Sequence, residues 1–452
     1  MARQQPHLGL ALLALVVSSQ ALFAQDLSEA SPAGAAGEVL DSLVQTALKV
    51  NPDVSAAGAR VQAAAAAVPQ AGARPDPMLM AGLVNFPVAD PGFDDFMTMK
   101  MVGVSQIFPF PGKLGLRARA ARHELAAEEA ELQATRLGTI RQVKDAYYEL
   151  ARADRLLEIV ERNQRLLVGL MQATEASYRV GRSGQEDVLG ARIEATRLGE
   201  DAAALREARR AALARLNAIL DRPSETPVPA PAVPTVLLRA ALADSGSRIR
   251  FVSATLGARA ADSPLPPLDS LQTLAIQLSP TLEAHEAMIA AQESRVGLAR
   301  KDAQPDFDVS LQFAQRTGFS DMVSATVSIP IPLQKRRKQD QAVVEAEAEL
   351  SAEVAGHHAR VNQLRARVAE LVSDLERDRT QLALYAKAVL PQARAALEAA
   401  TTGFQVGRTP FQTLVERQAT LFNYETEYVR ALTDFATSLA ALEQTVGQEV
   451  LR

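Results

Sequence analysis

The chain states one motif twice. Tyr178-Arg179-Val180-Gly181-Arg182 stands near the middle, and Phe404-Gln405-Val406-Gly407-Arg408 near the end. The two glycines lie 226 residues apart, at 181 and 407. Each copy sits between two long, alanine-rich segments with apolar periodicity. Upstream of each come two strand-like runs and a proline-punctuated exit. These exits are Ile107-Phe108-Pro109-Phe110-Pro111 and Ile329-Pro330-Ile331-Pro332, whose last prolines lie 221 residues apart, at 111 and 332. A tandem duplication of strand, strand, long helix, turn and helix is uncommon, so this period constrains the fold more than any other feature.

The strands are clearest in the second repeat. Phe307, Val309, Leu311 and Phe313 alternate with Asp308, Ser310 and Gln312; Val323, Ala325, Val327 and Ile329 alternate with Ser324, Thr326 and Ser328. Period-two alternation predicts strands with one apolar and one polar face. Arg316 to Ser320 reads as a hairpin connection. In the first repeat, Met78–Val88 and Phe96–Phe108 flank a loop, Ala89 to Asp95. There Met97, Met99, Met101 and Ile107 share one face, and Thr98, Lys100 and Gln106 the other. That methionine stripe reads as lipid-facing or core packing rather than as a soft-metal contact.

The period then changes to that of helices. No proline occurs from Gly112 to Arg222. A helix from Lys113 to Tyr178 would be about 100 Å long. Its counterpart is expected from Gln334 to Thr402, with Pro391 kinking it or forcing a local adjustment. Return helices are expected at Gln185–Leu220 and Pro410–Val446, and an earlier helical run from Glu38 to Ala73, interrupted at Asn51-Pro52. Pro223 to Pro267 carries eight prolines and reads as irregular structure on the outside of the molecule.

The N-terminus has the form of a secretory signal: Arg3 and His7, then an apolar Leu8–Val17, then small residues up to a cleavage point after Ala24. An uncleaved anchor is the alternative, although the run is short for a span of about 20 residues. On this reading the chain divides into a signal peptide (1–24), a flexible leader (25–37), repeat one (38–220) and an inter-repeat segment (221–267). Repeat two (268–447) and a tail (448–452) complete it. The repeats hold β-hairpins at 78–108 and 307–331, and helical tips near 178–184 and 404–410.

No later segment is apolar enough for a membrane helix, and the chain has no cysteine, so disulfides, thiol chemistry and an acylated N-terminal cysteine are excluded. A formal charge of −5 argues against a nucleic-acid partner. Four amphipathic strands at the far end of long helices cannot be covered by those helices. Two hairpins alone have open edges and are marginal in water, and open edges are worse in lipid. Closure by cyclic oligomerisation, with the apolar face toward lipid, resolves the problem; a small amphipathic sheet packed on another domain is the alternative.

Signal, duplicated strand–strand–helix–helix unit and paired Val-Gly turns together resemble the TolC-type outer-membrane factors, the outer-membrane efflux proteins, over roughly Glu38 to Gly447. The resemblance implies a mixed α/β membrane protein that forms a homotrimer. Each subunit would lend four strands to one twelve-stranded β-barrel in the outer membrane, continuous with a long periplasmic α-helical barrel. It implies work with an inner-membrane pump and a periplasmic adaptor, or membrane fusion, protein. It needs no cofactor and no resident metal. It places Val180, Gly181, Arg182, Val406, Gly407 and Arg408 at tips facing the adaptor, and makes Asp187 and Glu416 candidate pore carboxylates, repeated threefold as rings favouring cations. Plain helix caps at the glycines and solvated charge at the carboxylates are the blander readings. Tyr178 and Phe404 are candidate gate positions. Phe404 stands where some relatives place a tyrosine and Thr409 where an arginine often occurs, so a polar lock at that tip is in doubt.

Nucleophile elbow, P-loop, paired-histidine zinc and dinucleotide signatures are missing, so no catalytic residue is expected. His357-His358 point about 100° apart on a helix and read as solvated rather than as ligands. A periplasmic coiled-coil adaptor or scaffold is the competing function. Such proteins carry one helical hairpin between β domains, not two hairpins with strand pairs.

Overall fold

The computed structural model describes residues 33–450, apart from 89–92, 94, 96, 180–183, 230 and 243–264. The expected signal peptide lies outside the described residues. Ten helices and four strands can be followed among them. In chain order these are α1 (Ala33–Val50), α2 (Pro52–Gly72), β1 (Met78–Val84), β2 (Met99–Phe108), α3 (Lys113–Arg179), α4 (Gln185–Ile219) and α5 (Thr235–Leu242). After these come α6 (Leu268–Leu278), α7 (Pro280–Lys301), β3 (Phe307–Arg316), β4 (Met322–Ser328), α8 (Gln339–Leu384), α9 (Leu390–Gln405) and α10 (Phe411–Val446). Helix α1 opens five residues before the expected Glu38, and α8 starts five residues after the expected Gln334.

The strand–strand–helix–helix unit occurs twice, and the two hairpins merge. The sheet order is β1-β2-β3-β4, antiparallel throughout. The ten-residue pairing of β2 with β3, from Met99↔Arg316 to Phe108↔Phe307, ties the repeats together. Strands β1 and β4 end the sheet, and among the described residues neither has a second neighbour.

Register decides which face is which. Residues directly opposite one another share a face. Leu79 and Ala81 therefore stand beside Val104 and Val102, then Leu311 and Phe313, then Ala325 and Val323. This apolar face is open: Leu79 is 82% exposed, Val323 69% and Leu311 54%. The opposite face carries Ser105, Ser310, Gln312, Ser324, Thr326 and Ser328. It also carries Met99, Met101 and Ile107, which pair with Arg316, Ala314 and Asp308. The stretch of the methionine stripe in β2, Met99 and Met101, is thus not on the exposed apolar face that carries Leu79, Leu311 and Val323. Strand β2 has apolar residues on both sides, and its contacts with β3 settle which side is outermost.

The helices follow from the same local chemistry. Asn51 caps α2, its side-chain oxygen accepting from the N–H of Asp53 (2.9 Å) and Val54 (3.3 Å), with Pro52 in the first turn. Leu40, Leu43, Val44 and Ala47 bury one face of α1 against Val143, Tyr147 and Leu150 of α3. Helix α3 runs for 67 residues, and its Ala127 and Ala130 pack on Ala284 of α7. Between α8 and α9 lies one π turn, Tyr385–Val389, where the Leu390 N–H reaches back to Tyr385. Pro391 follows directly and has no N–H to give, so the wider turn is the local adjustment a proline demands.

The inter-repeat segment is not wholly irregular. Thr235 to Leu242 forms α5, and its Ala240 and Ala241 are buried with Leu271, Leu371 and Phe435. Leu237 packs against both this core and the one built on α1 and α3. Eight consecutive residues without proline suffice for two helical turns; the composition of the whole segment conceals them.

Where sheet gives way to helix, one cation is enclosed. Lys113, only 4% exposed, bonds Asp306 (2.9 Å) and the Gln304 carbonyl (2.9 Å), and lies 3.3 Å from Asp302. Asp306 also accepts the Phe110 N–H at 2.8 Å. The start of α3 is thereby fastened to the approach to β3. Burial pushes the Asp306 carboxyl up, but the Lys113 hydrogen bond, the Phe110 N–H and the Lys113 charge outweigh it and hold the group below the ordinary aspartate range. A depressed folded-state value stabilises above the unfolded pKa and is lost as pH falls through the folded one. Asp306→Asn is therefore expected to cost about 1–2 kcal/mol at neutral pH. The difference from wild type should shrink as pH falls below the ordinary aspartate range and close only beneath the depressed folded-state value. Thermal unfolding of both proteins as a function of pH checks this; a gap that persists in acid would contradict it.

Candidate functional site

Two helical hairpins can be followed, α3 ending at Arg179 before α4 at Gln185, and α9 ending at Gln405 before α10 at Phe411. The first joins α3 to α4. Val180, Gly181 and Arg182 lie outside the described residues; Tyr178, just before them, is about half exposed. Helix α4 begins at Gln185, and the Asp187 carboxylate reaches back to accept the Gly184 N–H at 3.1 Å. A carboxylate here also meets the positive end of the helix dipole. Asp187 therefore has a local structural task. Glu416, one and a half turns into α10, is exposed.

The second tip is fully visible. Gly407 has φ +72°, a left-handed conformation that costs other residues about 1–2 kcal/mol. The N–H groups of Arg408 (2.8 Å) and Thr409 (3.2 Å) both return to the Gly403 carbonyl and close the end of α9. Gly403 matters for a second reason. A Cβ there would lie 2.1 Å from the Thr409 hydroxyl oxygen, so Thr409 is seated directly over it. Phe404 packs on the buried Phe411, ring centroids 5.9 Å apart. Val406 and Arg408 point outward, exposed. This hairpin is held by a glycine turn and an aromatic pair.

Behind the tips, charges bind the helices to one another. Arg192 of α4 meets Glu175 of α3 at 3.1 Å. Deeper, Glu425 of α10 is buried and pairs with Arg162 of α3 and, at 3.4 Å, Arg394 of α9. Lys144 of α3 bonds Glu443 of α10 at 2.7 Å, with both side chains largely covered. Sequence reasoning missed Glu425, yet a signal was present. Phe411, Gln418 and Glu425 follow one another at seven-residue intervals on the buried face of α10, so Glu425 stands at a core position.

His357 is not a freely solvated side chain. It is half-buried, with Nε2 3.9 Å from Glu286 Oε1. Nearby, His285 Nδ1 lies 3.8 Å from Glu353 Oε2. Burial, and then the nearby Arg360 charge, pull His285 below the usual histidine range despite Glu353 and Glu131. Among the described residues no group of three or more His, Cys, Asp or Glu has a metal-holding arrangement. Nor is any described helix long and apolar enough to cross a membrane.

The tip geometry makes a specific expectation. Gly403→Ala should abolish the hydrogen-exchange protection of the Arg408 and Thr409 amides and open the loop. Adding Thr409→Gly should restore most of it. Gly403→Ala with full protection would show that the Thr409 hydroxyl turns aside without opening the loop.

Comparison with known proteins follows the same two-part division. The family model described as Outer membrane efflux protein matches residues 43–222 and 271–448, one match for each repeat. Among curated proteins, the cobalt-zinc-cadmium resistance protein CzcC of Cupriavidus metallidurans is 24% identical over 188 residues. That alignment spans 41% of this chain and 44% of CzcC, so it covers under half of either protein. Among solved structures, the outer-membrane channel OprN has a TM-score of 0.74 at 20% identity, covering 91% of this chain and 90% of OprN. The outer membrane protein VceC of Vibrio cholerae has a TM-score of 0.71 at 22% identity, covering 91% and 96%. Both repeats fall within the family match, and the chain therefore belongs to the outer membrane efflux protein family: it is an outer-membrane protein with a periplasmic helical extension, and not an enzyme.

Proposed function

We propose that the chain is one subunit of a trimeric duct, through which substrates delivered by an inner-membrane pump and a periplasmic adaptor leave the cell. One observation carries this reading: a four-stranded sheet whose outer face is apolar and exposed, and whose two end strands have no second neighbour among the described residues. Three copies placed in a ring would give each end strand a partner and turn every apolar face to lipid. The central strands are ten residues long, enough to cross a bilayer at a tilt of about 45°. The helices would continue the cylinder into the periplasm, with both tips at its inner end, facing the adaptor.

In such a ring, Asp187 and Glu416 would each recur three times near the narrow end of the tunnel and favour cations. The asymmetry of the tips suits different duties. The first is capped by a carboxylate and carries a tyrosine hydroxyl; the second closes through backbone hydrogen bonds to the Gly403 carbonyl, and its side-chain contact is the apolar pair Phe404–Phe411. Gating at the second tip would therefore proceed by separating apolar surfaces, not by breaking a polar latch. For the cargo, the name of CzcC points to divalent metal ions, and growth of a deletion strain on zinc, cobalt and cadmium is the direct comparison.

The protein is expected to leave membranes only with detergent and to sediment as a trimer. A detergent-free soluble monomer would favour the adaptor or scaffold reading instead. In planar bilayers, Asp187→Asn and Glu416→Gln together should lower cation-over-anion permeability several-fold. Asparagine keeps an oxygen for the Gly184 N–H, so the tip survives. Unchanged selectivity in the double variant would remove the carboxylates from the pore.

A further inference from the structure

We propose that Lys335, Arg336, Arg337 and Lys338 form a seat for the phosphates of anionic phospholipids at the periplasmic surface of the outer membrane. The proposal rests on the reading above, that the apolar sheet face meets lipid.

The argument begins with order along the chain. Strand β4 ends at Ser328, and the apolar residues beyond it become more exposed toward the helices: Ile329 49%, Ile331 77%, Leu333 90%. Four cations follow after Gln334, all of them exposed. This is the end of the sheet where β1 begins, β2 ends and β3 begins, the end from which the long helices depart. Other cations at this level lie over aromatic rings: Arg74 is 5.8 Å from the centroid of Phe108, and Lys301 Nζ is 5.7 Å from that of Phe110. Cations over rings beside apolar surface are what a membrane–water boundary selects.

Local electrostatics does not explain the cluster. The four cations directly precede α8, whose N-terminus carries the positive end of the helix dipole, so each is placed against the field. Asp340 in the first turn pairs with Lys335. Among the described residues, Arg336, Arg337 and Lys338 make no ion pair.

The first repeat supplies the contrast. At the same junction the cation that opens its long helix, Lys113, is enclosed by Asp302 and Asp306. One repeat thus consumes its junction charge internally, whereas the other displays an excess on a chain whose formal charge is −5. A phosphodiester surface is the partner that fits: anionic, planar, and positioned where apolar side chains give way to charged ones. Arginine matches its oxygens two at a time.

The test uses the full chain, purified in nonionic detergent and titrated with phosphatidylglycerol or phosphatidylcholine, bound lipid being counted by native mass spectrometry. Each cation near an anionic membrane is worth roughly fivefold in binding. Wild type should prefer phosphatidylglycerol by at least tenfold, less at 0.5 M salt than at 0.05 M. Changing all four residues to Gln should erase the preference. Arg336→Gln with Arg337→Gln, a milder pair should the first fail to assemble, should remove about half of the preference on a logarithmic scale, while Arg336→Lys with Arg337→Lys should keep most of it. Glycerophosphate at millimolar concentration should not displace the lipid. Displacement would mean a site for soluble phosphate and would overturn the proposal. So would an undiminished preference in the Gln variants, or Gln-variant trimers that fall apart equally in both lipids, which would assign the cations to a neighbouring subunit. A detergent-requiring trimer with no lipid preference sinks this proposal alone, whereas a soluble monomer sinks the duct reading with it.

Discussion

Backbone hydrogen bonding at the edges of one small sheet is the constraint on which the rest of the molecule depends. Strands β1 and β4 leave a row of N–H and C=O groups facing away from the sheet, while the outer face offers Leu79, Val102, Leu311 and Val323 to the surroundings. Water would solvate the edges but not the face. Lipid would accept the face, but each unpaired edge group would cost several kcal/mol. Only an arrangement that pairs the edges and keeps the face in lipid satisfies both requirements. The long helices cannot supply that cover, because they leave from one end of the strands.

What the subunit contributes before any assembly is the β2–β3 pairing and the Lys113 clamp beneath it. Together they join residues about 200 positions apart in sequence, pairings that carry a high loop-closure cost. Two apolar cores lie along those helices, one on α1, α3 and α4, the other on α6, α8 and α10, and Leu237 of α5 touches both. The inter-repeat segment is thus a cross-brace as well as a connection.

Much of this was legible because the physical signals are local. Alternation marked β3 and β4, the proline-free stretch marked α3, and Asn51-Pro52 marked a break in the first helical run. Gly407 announced a turn, and Pro391 announced a kink or local adjustment, though not that it would be a π turn. What was illegible depends on partners distant in the chain. The face of β2 could not be read, since Met99 and Met101 on one side and Val102 and Val104 on the other are about equally apolar; only the register with β3 separates them. Asp187 was visible as a charge near a tip, but its bond to the Gly184 N–H required the loop geometry. Glu425 could have been noticed as a carboxylate at a core position of α10, though nothing in the sequence named Arg162 and Arg394 as its partners.

Those buried pairs answer a difficulty that alanine creates. Helices lined by alanine approach closely, yet their surfaces are smooth, and adjacent helices could slip by a turn with little loss of apolar contact. Charged pairs remove that freedom, because a displaced partner leaves a buried ion uncompensated at a cost of several kcal/mol. Lys144–Glu443 and Arg162–Glu425 join the same two helices, α3 and α10, at different heights. Two pins on one pair of rods fix the axial offset of repeat one against repeat two. That offset sets whether the two tips finish level, and level tips are a precondition for an end that three subunits could close together.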